Sequence, residues 1–167
     1  MNLNELQHSS VFSSEEKEQT SYTAKNAIVN MRFYAKELIR DFKDFQELEA
    51  SGRLATVTFN SIRANMNDYV QTFVDAVSAL CYNPANSLRS LVRSFTSEYD
   101  LNTELNAWVE FLIRRNDLIH DYLGRDFLNE ELYNALLNYE DCVIELVDFI
   151  EAGLKSKNLL NVKVHKR

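Results

Sequence analysis

Apolar residues recur along the chain at intervals of three and four, the spacing that lays one hydrophobic stripe along a helix. The first stripe runs through Ala24, Ala27, Ile28, Met31, Ala35, Leu38, Phe42 and Phe45. Ser13 and Glu16 ahead of it form a candidate capping box, and Gly52 behind it is placed to stop the helix. A second stripe, Phe59, Ile62, Met66, Tyr69, Phe73, Val77, Leu80 and Cys81, halts at Asn83-Pro84, because the residue before a proline is pushed out of helical geometry. Asn83 as cap and Pro84 at the first helical position then predict a shorter helix through Leu88, Leu91, Val92 and Phe95, reaching Glu98. Asn102 is the candidate cap of a fourth helix that carries Leu105, Trp108, Val109, Leu112, Ile113 and Ile119 and ends before Gly124. The last stripe is Leu132, Leu136, Tyr139, Val143, Leu146, Phe149 and Ile150, with Asn129 as candidate cap and Leu128 and Tyr133 as a hydrophobic staple. Four long helices and one short one predict an all-α fold, an antiparallel up-and-down four-helix bundle with an additional short helix. The polar residues 1–13 are expected to form a flexible arm, residues 14–154 the bundle, and residues 155–167 a basic tail.

Composition narrows this further. The chain has 3 Gly and 1 Pro in 167 residues, where ordinary usage gives about 20 of the two together. Sandwiches, barrels and dinucleotide or P-loop sites need those residues at turns and against phosphates, so these classes are excluded. No apolar run approaches a membrane span or a signal-peptide core, so a chain without membrane contact in the cytoplasm is expected. Cys81 and Cys142 lie inside apolar segments without a CxxC spacing, which reads as two small buried hydrophobes in a reducing compartment, with no metal and no cofactor. The formal net charge is −7, which by itself invites no polyanion. Its distribution is uneven, because Lys155, Lys157, Lys163, Lys166 and Arg167 gather at the end without an acid. Most of the aromatic residues fall on the helix stripes and read as core.

Candidate chemistry concentrates in one run. His8 and His165 lie near the chain ends, whereas His120 closes the fourth predicted helix in the sequence Arg114-Arg115-Asn116-Asp117-Leu118-Ile119-His120-Asp121-Tyr122. At about 100° per residue, Asn116 and His120 share a face with Leu105, Val109 and Leu112, and Arg115 lies about 140° from His120. A two-fold dimer of this helix would bring two Arg and two His into one cleft. That set suits RNA cleavage without a metal, which needs a base for the ribose 2'-hydroxyl, an acid for the departing 5'-oxygen and a cation for the phosphorane. Imidazole divides the first two roles near neutral pH, and arginine supplies the third. Asn116 is placed to orient the imidazole or the phosphate, and Asp117, Asp121 and the negative helix end favour the charged imidazole. The same residues also fit a plainer role, a C-capping cation with a solvated arginine beside it. A di-metal carboxylate bundle would need two Glu-x-x-His motifs, and this chain has a single Asp117-x-x-His120.

The run Arg115-Asn116-Asp117-Leu118-Ile119-His120-Asp121-Tyr122 resembles the Arg-x4-His signature of the HEPN superfamily in its extended Arg-x4-His-x-Tyr form, and is similar to that of toxins paired with minimal nucleotidyltransferases. The resemblance implies a dimeric helical bundle whose paired motifs form a metal-independent endoribonuclease, with Arg115 and His120 as the catalytic pair and Asn116 as the polar residue after the arginine. It implies further that Tyr122 is the tyrosine a partner nucleotidyltransferase modifies with AMP. Arg114 and Arg125 are candidate RNA contacts that would offset Asp117 and Asp121. Non-catalytic HEPN proteins that act as binding subunits or adaptors are the alternative.

Overall fold

A computed structural model describes residues 22–53, 56–81, 87–120 and 125–164, with the backbone alone for 56, 116–120 and 125–128. Among these residues the chain forms five helices: α1 (Ala24–Ala50), α2 (Thr56–Cys81), α3 (Leu88–Glu98), α4 (Thr103–His120) and α5 (Arg125–Ser156). The fold is all-α, a helical bundle with an additional short helix, as the periodicity predicts. α1 runs along α2 in the most extensive pairing, α5 packs against α1, α2 and α4, and α3 bridges α2 and α4. No helix among the described residues is long and apolar enough to cross a membrane.

The stripes read from the sequence are the core. Ala24, Ala27, Ile28, Met31, Ala35, Leu38 and Phe42 of α1 are all buried, as are Ile62, Met66, Tyr69, Phe73, Val77 and Leu80 of α2. Toward its end α2 is enclosed on nearly every side, so that Thr72 and Asp75 are buried with Val74 and Ala76. The Thr72 hydroxyl meets this burial by donating back to the Asp68 and Tyr69 carbonyls. Between α2, α4 and α5 lies a second polar link. The Trp108 indole N–H donates to the Tyr69 hydroxyl at 3.1 Å, and that hydroxyl donates to the Val143 carbonyl at 2.9 Å. A Cβ on Gly153 would lie 3.1 Å from Leu80 Cδ1, so the missing side chain lets α5 approach α2 closely.

Helix ends follow local chemistry, with some departures from expectation. Gly52 adopts φ 73° and ends α1 in a Schellman turn, its N–H donating to the Glu49 carbonyl and that of Arg53 to Leu48. Asn102 caps α4 as predicted, accepting from the Leu105 N–H at 2.8 Å. The box expected at Ser13 and Glu16 lies outside the described residues; α1 itself is capped by Thr23, which exchanges hydrogen bonds with Asn26. Asn83 and Pro84 also lie outside them, and α3 opens instead behind Ser87, whose hydroxyl accepts from the Ser90 N–H. Asn129 is not a cap: α5 already begins at Arg125, which places Asn129 in its second turn. α5 is also broken at Tyr139, whose backbone torsions (φ −126°, ψ 21°) leave the helical region.

The segment after α5 is part of the structure. Asn158 takes a left-handed conformation (φ 58°), and Leu159 N–H returns to the Leu154 carbonyl, a second Schellman ending. The chain then crosses the start of α1, where Ala24 N–H donates to Val162 O, Lys25 N–H to Leu160 O, and Val164 N–H to Tyr22 O. Two of the orphan donors at the start of α1 are thereby satisfied, and Val164 is buried.

Candidate functional site

α4 carries the run singled out in the sequence and ends at His120. Its apolar face, Leu105, Trp108, Val109 and Leu112, is wholly buried and fixes the rotation of the helix against α2, α3 and α5. That rotation sends the two adjacent arginines apart. Arg114 is exposed and pairs with Glu131 of α5. Arg115 is half-buried on the α2 side, where its Nη1 donates to Asn67 Oδ1 at 2.9 Å.

One turn before Asn67 on α2 stands Arg63, the sole basic residue of that helix. Its Nη2 donates to Asn60 Oδ1, and its Nε is buried with no hydrogen-bond partner among the described residues. Burial first, and then the charge of Arg63, hold the Arg115 guanidinium below its ordinary range, at about 10. It remains fully charged at neutral pH. No carboxylate among the described residues pairs with either arginine, although Arg32 pairs with Asp148, Arg40 with Glu37 and Arg114 with Glu131. Each cation is thus held by its own neutral amide on α2, an arrangement that orients it without cancelling its charge.

Asn116, Asp117 and His120 lie in the last turns of α4 and Arg125 opens α5, but their side chains lie outside the described residues, as does Tyr122 entirely. Arg115 is therefore the member of the expected catalytic pair whose surroundings are defined. Arg63 and Asn67 are absent from the sequence-based expectation. Their signal was a lone cation and an amide four residues apart, on one edge of the α2 stripe.

On the α5 side of α4 lies an open groove of about 520 Å³, walled by Arg89, Glu110, Phe111, Arg114, Glu131 and Tyr139 among others. Its floor is firm, because Phe111 stacks on Trp108 at 5.6 Å between ring centroids. Its basic and acidic residues are matched in number, so it lacks the one-signed charge of the Arg63–Arg115 cluster. Among the described residues no three His, Cys, Asp or Glu side chains are grouped to hold a metal.

In comparisons with known proteins, no family model matches the chain, and no significant match emerges among curated proteins or solved structures. The class defined by fold and site is therefore a helical bundle with an arginine cluster at the end of α4.

Proposed function

We propose that this protein is a metal-independent endoribonuclease of HEPN type, acting as a cytoplasmic homodimer and serving as the toxin of a toxin–antitoxin or phage-defence pair. The observation that carries this reading is Arg115: a half-buried guanidinium, held by the neutral Asn67 and left without a carboxylate among the described residues, on the helix that ends at His120. Such a group is suited to phosphate oxygens. In the reaction, the ribose 2'-oxygen attacks phosphorus as a base removes its proton, the bond from phosphorus to the 5'-oxygen breaks, and an acid protonates that oxygen. The products are a 2',3'-cyclic phosphate and a 5'-hydroxyl. His120 from the two copies would divide the proton transfers, Arg115 would stabilise the phosphorane and Asn116 would orient the groups.

Induced expression of the parent beside His120→Ala and Arg115→Ala tests this, scored by growth and RNA integrity and repeated with purified protein. Both variants should remain folded and lose cleavage by at least about 100-fold. A His120→Ala protein that cuts RNA like the parent would sink the mechanism.

The net charge of −7 favours a second reading, a non-catalytic adaptor that presents Tyr122 to a nucleotidyltransferase partner. A parent that is harmless when expressed alone and leaves tRNA and mRNA whole would select it.

A further inference from the structure

We propose that Arg63 of α2 joins Arg115 of α4 in a single oxyanion site that takes a phosphate group, with Asn60 and Asn67 holding the two guanidinium groups. The clamp stands on its own geometry; only the assignment of its phosphate to an RNA strand rests on the ribonuclease reading above.

Like charges brought together at a partly buried place repel, and the fold tolerates that cost only where something offsets it. The usual offset is a carboxylate, which Arg32, Arg40 and Arg114 each have. Arg63 and Arg115 instead meet amide oxygens, which accept a hydrogen bond and bring no negative charge. The Arg63 Nε donor is buried and unanswered among the described residues, so within them the cluster lacks an acceptor as well as an anion. A phosphate group supplies both, since its oxygens accept from several N–H donors of two forks at once. Asn60 and Asn67 are exposed, so the cluster opens to solvent and a strand can reach it. The negative charge of the chain as a whole does not oppose this, because a local pair of arginines governs the field within a Debye length of about 8 Å.

The test uses the full chain as parent, Arg63→Gln, Arg63→Lys, and Arg93→Gln as a control that removes one exposed arginine of α3. Two probes separate the sources of phosphate: inorganic phosphate against chloride at equal ionic strength, followed by thermal melting, and a short 2'-O-methyl RNA that cannot be cleaved, followed by fluorescence anisotropy. Without phosphate, Arg63→Gln should melt at or above the parent, because a repulsion has been removed. Phosphate should raise the melting temperature of the parent and of Arg93→Gln, leave Arg63→Gln unmoved, and act partially on Arg63→Lys. Affinity for the oligonucleotide should fall about tenfold in Arg63→Gln and less than about twofold in the control. Equal phosphate stabilisation of parent and Arg63→Gln would overturn the clamp. So would an Arg63→Gln protein that melts far below the parent without phosphate, since Arg63 would then serve an internal pairing. A parent that binds phosphate through Arg63 but leaves RNA whole keeps the clamp and removes the ribonuclease; a chain that cuts RNA through His120 and binds phosphate without Arg63 does the reverse.

Discussion

Tyr69 shows what a single side chain does in this protein. Its ring fills the core between α2 and α4, and its hydroxyl is both acceptor for Trp108 and donor to the Val143 carbonyl. Burial raises the phenol pKa further above its ordinary value, so the group stays a neutral donor at every working pH. Removing the oxygen leaves the buried indole N–H unpaired and takes a second hydrogen bond from the Val143 carbonyl. Tyr69→Phe should therefore cost about 1–3 kcal/mol despite its near-perfect shape match, measured by urea unfolding followed by Trp108 fluorescence. The stripe identified Tyr69 as core, but its partners lie 39 and 74 positions away along the chain. Arg115 presents the same contrast. The sequence marks it as chemically interesting, yet Asn67, 48 residues earlier, is a neighbour only after α2 and α4 have packed.

At the level of elements, the clearest test concerns the segment after α5. Asn158 sits in the left-handed region, which asparagine visits more readily than most residues. Asn158→Ala should cost about 1 kcal/mol and Asn158→Gly should be neutral or stabilising, by equilibrium unfolding. Truncation after Lys157 removes the acceptors of the Ala24 and Lys25 N–H groups and the buried Val164. It should destabilise by about 2 kcal/mol or more, and hydrogen exchange at those two amides should accelerate beyond the rest of α1. The helices themselves were legible because periodicity is local. Their ends were partly so: Gly52 and Asn102 act as their residue types suggest. Thr23 escaped because its box partner is Asn26 where the usual pattern has Glu or Gln. Asn129 misled because a good capping residue also occurs within helices, and here the helix already begins at Arg125. The break at Tyr139 has no proline or glycine to announce it.

For the molecule as a whole, two shielded thiols, Cys142 buried and Cys81 half-buried, shape the alkaline response to pH. Burial, then the neighbouring Glu98, pushes the Cys81 thiol up to about 12; burial, then Glu145, pushes Cys142 up to about 11. In the unfolded chain a thiol titrates near 8.5. Between these values the unfolded state has released protons that the folded state retains, so stability is present below about pH 8.5 and is lost as pH rises toward the folded values. Unfolding curves from pH 7 to 10.5 should show a shallower alkaline decline in a Cys81→Ala, Cys142→Ala protein than in the parent. Both parent thiols should react slowly with iodoacetamide at pH 8 and rapidly once the protein is unfolded.

By itself, the sequence determined that the chain is helical, which residues line the core and where α1 stops and α4 begins, and it singled out the run around Arg115 as the candidate for chemistry. Each of these rests on residues within a turn or two of one another, where spacing and backbone preference act without help. Tertiary structure decided the rest. It turned Arg114 toward Glu131 and Arg115 toward Asn67, placed Arg63 beside Arg115, and laid residues 158–164 across the start of α1. Those pairings depend on the rotation and approach of helices far apart in sequence. Packing of the whole core sets that rotation, so no local pattern encodes it.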